Sequence, residues 1–486
     1  MKSAHPTGHQ ELGDRAEGDG GVPSGIAAIC ALVVLGMATI AFAYWPGIMI
    51  DDARWQYQQS VDNAYEDWHP PAMAWVWHHL MLLEPGPGPM LLLQLSLYWA
   101  GIAMIALWVH RQGSPRLGVL AACAGWLPAP LALMGIVVKD SLMAGTLSSA
   151  VGFMLWSTTA LNISHRRALG IAALIAILLA ATLRANAFLA CAPLALAALP
   201  RSFLSSGPRL ALSALVSTAI LAMAPGAVAA ALHAEDMDTQ LSLIIFDLGG
   251  ITEHTGLNQF PDLRVANPVA VNHRCYDPFE WDSYSTWARR PCPLGYERFQ
   301  SLVDEGDTDP RRVWVHAVVT HPIAYAQHRL AHFNISTWFL VPDNPEPTAW
   351  TQSVSNPWNF RVSPNPVLEA VDSAANEAAK SPLGWPICWI ALALAVLITC
   401  RSAKLDRNVT AISASALLYG MGYLVFGVAA GVRYYIWTMI GAALAAVLAA
   451  SELSRRRSPL DRGSAILPAA IVLVPAALAA VARLTF

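Results

Sequence analysis

Two adjacent carboxylates, Asp51 and Asp52, stand just past an apolar run over residues 25–45. Charges at the mouth of a membrane helix are costly unless they work at the interface. A carboxylate beside low-dielectric material has its pKa raised toward the range of a general base, able to take a proton from a hydroxyl. It could also hold a divalent cation, Mg or Mn, within an oxygen-rich shell. The bland alternative is a solvated cap on the segment 53–63.

Three cations stand at the ends of later apolar runs, each beside a hydrogen-bonding group. Lys139 precedes Asp140, Arg184 precedes Asn186 by two residues, and Arg433 precedes Tyr434 and Tyr435. Arginine holds a phosphate well through paired donors. Single cations in such places snorkel toward headgroups; three on one face beside Asp51 and Asp52 point to a site. They are expected to converge there with His69, whose orientation is restricted by Pro70 and Pro71. His316, His321, His328 and His332 share one segment, but Pro322 interrupts their pattern and no HExxH motif is present, which argues against a metal there.

The elements that must position these residues are membrane helices. Of 486 residues, 55% are hydrophobic and 13% charged, against about 25% charged in soluble domains. Runs of about 20 apolar residues can cross a bilayer only as helices or closed barrels. Eleven spans are expected: 24–46, 89–110, 117–137, 141–161, 168–184, 187–200, 210–232, 385–400, 409–430, 434–450 and 465–484. The first is longer than a signal-peptide core and its head is not basic, so it reads as retained. Segment 70–84 is too short to span and is expected to lie in the interface on Trp75 and Trp77. Leaving it out puts the loops with Arg111, Arg166, Arg201, Arg401 and Arg455 on the cytoplasmic side, as the positive-inside rule prefers.

The chain then divides into four parts: a disordered cytoplasmic tail 1–23, a membrane portion 24–232 with an outer loop 51–88, a hydrophilic outer domain 233–383, and a second membrane portion 384–486. The outer domain holds 10 Lys and Arg against 19 Asp and Glu, a net −9, so the rest of the chain carries +6 of the overall −3. It is expected to be mixed α/β, with a strand at 241–246 and a helix near 311–333. Cys275 and Cys292 are its two cysteines, and an oxidising compartment would pair them. No Gly-rich phosphate loop follows a strand, so no nucleotide signature is present, and no nucleic-acid partner is expected.

In order and on one face, these motifs resemble those of the GT-C superfamily of polyprenyl-phosphate-sugar-dependent glycosyltransferases, most of all its bacterial inner-membrane members. The matching residues are Asp51-Asp52, His69-Pro70-Pro71, Lys139-Asp140-Ser141, the Leu-Arg-x-Asn element at 183–186 and Arg433-Tyr434-Tyr435. The resemblance covers roughly 24–232 and 385–450 and leaves the domain 233–383, and with it the acceptor, open. It implies a sugar carried on a polyprenyl phosphate, an aspartate as general base, basic groups on the departing lipid phosphate and inversion at the anomeric carbon. The acceptor would be a cell-surface glycan or lipid at the periplasmic face of the inner membrane. The rivals are a lipid-linked glycan ligase or polymerase, which would do without the acidic pair, and a transporter or flippase, which would carry its charges at mid-depth.

Overall fold

The computed structural model describes residues 21–306, 308–456 and 462–485. The tail expected over 1–23 therefore lies, up to residue 20, outside the described residues. Seven helices are long and apolar enough to cross a membrane: Gly25–Tyr44, Gly88–Arg111, Ile163–Ala181, Gly207–Ala231, Arg407–Phe426, Val432–Arg456 and Ala465–Thr485. The chain is a multi-pass helical membrane protein, with seven such helices among the described residues rather than eleven. The other four expected spans differ for physical reasons. The run 117–137 breaks at Gly125–Leu127 into Pro115–Ala124 and Pro128–Leu133, while Phe188–Ala198 and Pro386–Ser402 are short. Lys139–Thr159 is long enough, but its first turn holds Lys139 and Asp140 and its interior is rich in Ser and Thr.

That polar helix is the centre of the bundle, buried along almost its whole length. Small residues let it approach Gly88–Arg111 closely. A Cβ on Gly101 would lie 2.3 Å from the backbone of Ser148, and Ser149 Oγ donates to Leu97 O at 2.6 Å.

Two short extended segments set the geometry of the site. Ile48 and Ile136 form an isolated parallel bridge, with Ile48 N donating to Gly135 O at 3.0 Å and Val137 N to Ile48 O at 2.9 Å. Gln94 holds the second segment through the carbonyls of Met134 and Ile136. Each segment then enters a helix, Asp51–Asp62 and Lys139–Thr159. Two parallel segments in register thus deliver two helix N-termini side by side, each with acids in its first turn, where the helix dipole favours them.

The segment 70–84 forms the short helix Ala72–Leu80. Trp75 is exposed as expected, but Trp77 is buried: its indole N–H donates to Gly86 O at 2.9 Å and its ring packs edge-on against Tyr57. It anchors this segment to the protein instead of to the interface.

The segment 233–383 divides in two. Residues between Leu241 and Ala324 build a core of their own, whereas Trp338, Val341, Leu368, Val371 and Ala375 pack into the membrane core. Between them, 338–365 straps the first span and the start of the next helix: Val354 N donates to Met49 O, Met49 N to Ser353 Oγ, and Asn365 Nδ2 to Ala43 O. The expected α/β character is corrected. Among the described residues there is no strand, only isolated bridges. The run 241–246 lies in the helix Gln240–Thr255, where Leu241, Ile244, Ile245, Leu248 and Ile251 are all buried; a short apolar run carries too little periodicity to separate strand from helix. The helix expected near 311–333 is two, Pro310–Thr320 and Pro322–Ser336, broken before Pro322.

Cys275 and Cys292 are disulfide-bonded, 17 residues apart with Cα atoms separated by 5.9 Å. Closing a loop of this length removes unfolded-chain freedom equivalent to about 3 kcal/mol. Replacing both cysteines by serine is expected to lower the Tm of the full chain in non-reducing buffer. An unchanged Tm would show that the bond constrains nothing.

Candidate active site

Asp52 stands in the first turn of Asp51–Asp62 with its Oδ2 shared among three groups. Lys139 Nζ donates to it at 3.0 Å, Arg433 Nη2 lies at 3.2 Å and His69 Nε2 at 3.7 Å. Lys139 also reaches His69 Nδ1 at 2.7 Å. An ammonium cannot accept, so Nδ1 accepts and the imidazole proton sits on Nε2, facing Asp52. Burial and then the Lys139 ammonium push His69 down to about 3, so this ring is a neutral donor at physiological pH.

The electrostatics of Asp52 run against the sequence expectation of a raised carboxyl pKa. Burial does push it upward, but Arg433 and then Lys139 outweigh burial and hold Asp52 well below the usual carboxylate range. Its side chain is still 19% exposed, which leaves a route to it from outside. Asp51 is separate from this cluster. Its side chain is 68% exposed and pairs with Arg54 one turn along the same helix, an interaction of little energetic weight. Asp51 is solvated, as the alternative expected, but its carboxylate caps no backbone N–H.

Arg184 lies between the helices Ile163–Ala181 and Phe188–Ala198. It pairs with Asp140, whose side chain is 1% exposed, and its Nε reaches Asn186 Oδ1 at 3.4 Å. Removing one partner of such a buried pair costs about 3–5 kcal/mol. Tyr434 joins the two halves of the cluster. Its ring lies 4.8 Å from the Arg184 guanidinium and 5.2 Å from that of Arg433, and Tyr423 stacks on it at 5.4 Å. Tyr435 faces elsewhere: its hydroxyl meets Ser336 Oγ at 2.7 Å inside the core.

Three cations, Lys139, Arg184 and Arg433, therefore meet two carboxylates, Asp52 and Asp140, with His69 neutral. One positive charge is left over. Arg433 Nη1 and Asp140 Oδ2 are both buried without a hydrogen-bond partner. An unpaired guanidinium N–H is a strong donor held ready for an anion.

Arg433 is placed by the segment that precedes it. Arg329 Nη1 donates to Gly427 O at 2.6 Å, Trp281 N to Val428 O at 2.9 Å, and the Glu346 carboxylate accepts the Val432 N–H. Arg329 is itself held by the buried Asp247, 2.6 Å from its Nη2; His328 and Trp314 also contact that carboxylate. His328 and His332 thus belong to a buried polar network rather than to a metal site. Tyr423, Glu346 and Arg329 were not found from sequence. Tyr419 and Tyr423 do share one helix face in Arg407–Phe426, four residues apart, a weak signal; Glu346 lies in a Pro-rich coil with no pattern at all.

The divalent cation left open by the sequence has no fitting donor set. Among the described residues no three His, Cys, Asp or Glu side chains converge. The Asp52 oxygen faces two cationic side chains, which would repel a metal ion, and Asp51 points to solvent.

No protein-family model matches the chain, and no curated protein matches it. Solved structures do. ArnT from Cupriavidus metallidurans bound to undecaprenyl phosphate matches at 15% identity over 89% of this chain and 79% of that one, with a TM-score of 0.32. The oligosaccharyltransferase of Archaeoglobus fulgidus, in complex with zinc and sulfate, matches at 13% identity over 96% of this chain and 53% of that one, TM-score 0.38. Oligosaccharyltransferase AglB from the same archaeon, with an inhibitory peptide and a dolichol-phosphate, gives 15% identity over 94% of this chain and 56% of that one, TM-score 0.36. The chain spans about half the length of these oligosaccharyltransferases. All three TM-scores lie below 0.5, so the functional reading rests on the side chains of this chain alone.

Proposed function

We propose that this protein transfers a sugar from a polyprenyl-phosphate donor to a hydroxyl of a cell-surface glycan or lipid, at the periplasmic face of a bacterial inner membrane. The observation that carries the reading is the buried cluster with one surplus positive charge and an unpaired Arg433 N–H, beside a carboxylate that remains reachable from outside. Lys139 and Arg433 hold the donor phosphate. Asp52 takes the proton of the acceptor hydroxyl as its oxygen attacks the anomeric carbon. The bond from that carbon to the phosphate oxygen breaks, and the lipid phosphate leaves with its charge matched by Arg433 and Lys139, charge placed in advance of the reaction. Arg184, Asp140, Asn186 and Tyr434 fix the position of Arg433 and Lys139 rather than meet the reacting atoms.

The test uses the purified full chain in vesicles with a radiolabelled polyprenyl-phosphate hexose or pentose and a panel of envelope glycans. Label is expected to appear on a glycan. Label that crosses the bilayer still attached to its lipid, with no transfer, would establish the transporter instead.

A further inference from the structure

Trp68 directly precedes His69, and its indole begins an aromatic cluster on the extramembrane side of the site. Trp281 stacks on it at 5.8 Å, and Trp287 and Tyr296 meet it edge-on at 5.2 and 5.8 Å. Trp287 also packs edge-on against Trp281 at 5.4 Å. Trp281 and Tyr296 are 3% and 7% exposed, while Trp287 is 54% exposed. Trp68 and Trp281, backed by Tyr296, therefore hold Trp287 in place with half its surface exposed.

Trp287 belongs to the loop closed by the Cys275–Cys292 bond. The same loop holds the extended segment before Arg433, through Trp281 N on Val428 O and the isolated bridge between Glu280 and Ala429. The indole is thus fixed to both walls of the cluster, to His69 through Trp68 and to Arg433 through Trp281. Its rim is polar. Asp282 lies beside it, close enough to Asp52 and Arg433 to feel their charge, and Arg289 and Arg290 are exposed on the same loop. A cleft of about 190 Å³ lies along the same loop, lined among others by Thr286, Tyr296, Glu297 and Arg298.

An exposed indole with the Asp282 carboxylate beside it, on a loop that also carries the hydroxyl of Thr286 and two guanidiniums, matches the two-sided chemistry of a pyranose. The C–H face of such a ring lies on the aromatic surface, and its hydroxyls meet the polar rim. The donor lipid, by contrast, must reach the cluster from among the spans, where Arg184, Tyr423 and Tyr434 lie. We infer that Trp287, with Asp282 and the adjoining cleft, is the acceptor subsite, and that it binds one sugar ring of the acceptor so that a neighbouring hydroxyl faces Asp52. This rests on the transfer reading for the acceptor's role, but the binding site itself does not.

The experiment titrates the full chain in detergent with methyl glycosides of a hexose, an N-acetylhexosamine and a pentose, reading tryptophan fluorescence. At least one glycoside is expected to give a saturable change in wild type and in Asp52→Asn, absent in Trp287→Ala and partly restored in Trp287→Tyr. In transfer assays Trp287→Ala is expected to raise the acceptor KM roughly tenfold, with donor binding unchanged. No saturable change with any glycoside, or an unaltered acceptor KM in a transferring Trp287→Ala protein, overturns the subsite and leaves the transfer reading standing. Saturable binding through Trp287 in a protein that transfers nothing keeps the subsite and overturns the transfer reading.

Discussion

Asp52→Asn is expected to reduce sugar transfer roughly 10²–10⁴-fold, the usual contribution of a positioned general base, while Asp51→Asn stays within a fewfold of wild type. The two residues are neighbours of identical type, so the contrast isolates position. Asp52 faces Lys139, Arg433 and His69 with most of its side chain covered, whereas Asp51 faces solvent and Arg54. The substitution also leaves two buried cations without their carboxylate, so transfer must be compared at equal folded fraction, by thermal denaturation. Binding of polyprenyl phosphate adds a second readout. Loss of Asp52 frees Lys139 and Arg433 for the phosphate, so Asp52→Asn should bind the lipid phosphate at least as tightly as wild type while failing to transfer. Equal activity of both variants would remove Asp52 from the chemistry. Weaker lipid-phosphate binding by Asp52→Asn would contradict the competition for Arg433.

Much of this arrangement was legible in the residues, and the remainder was not for identifiable reasons. The order and common face of Asp52, Lys139, Arg184 and Arg433 came from where charges interrupt apolar runs, because intramembrane cost confines charges to span ends. The choice between Asp51 and Asp52 did not, because it depends on the pairing of Ile48 with Ile136, a contact across 88 positions of chain with no local signature. Arg184 and Arg433 were expected at one phosphate. Instead Asp140, the neighbour of Lys139, claims Arg184, and Tyr434 lies between the two guanidiniums. The strand expected at 241–246 failed because a helix buried on several sides reads as a continuous apolar run. The polar helix Lys139–Thr159 shows the converse: its serines and threonines bond to backbone carbonyls one turn back or on the neighbouring helix, so polarity there marks burial in the bundle, not exposure.

The second expected result concerns pH. In the free protein Asp52 is held well below the usual carboxylate range by Arg433 and Lys139, so it is ionised throughout the working range but only weakly basic. A donor phosphate takes the same two cations and adds a negative charge next to Asp52. Both changes favour the protonated carboxyl, so donor binding raises its pKa. Transfer needs the carboxylate, and activity is therefore lost as pH falls through whichever pKa applies. The profile of kcat/KM for the donor reports the free enzyme and should show no acid limb from Asp52 near neutrality; the profile of kcat reports the donor complex and should show one, higher by about one pH unit or more. The other groups that act on Asp52 are assigned in advance. His69, at about 3, is neutral across the range, and Asp282 feels Asp52 from the extramembrane side. Glu346, raised to about 7 by burial, accepts the Val432 N–H next to Arg433 and would titrate in the same window. Burial also raises Asp282 and pushes Glu280, bridged to Ala429, up to about 7. Glu346→Gln, Glu280→Gln and Asp282→Asn together remove these titrations, so an acid limb that persists in kcat in the combined variant belongs to Asp52. Arg433→Gln should raise the limb in kcat/KM as well, because Asp52 then loses its strongest counter-charge before any donor arrives. Superimposable acid limbs in kcat and kcat/KM, unmoved by Arg433→Gln, would mean that the phosphate does not share the cations of Asp52.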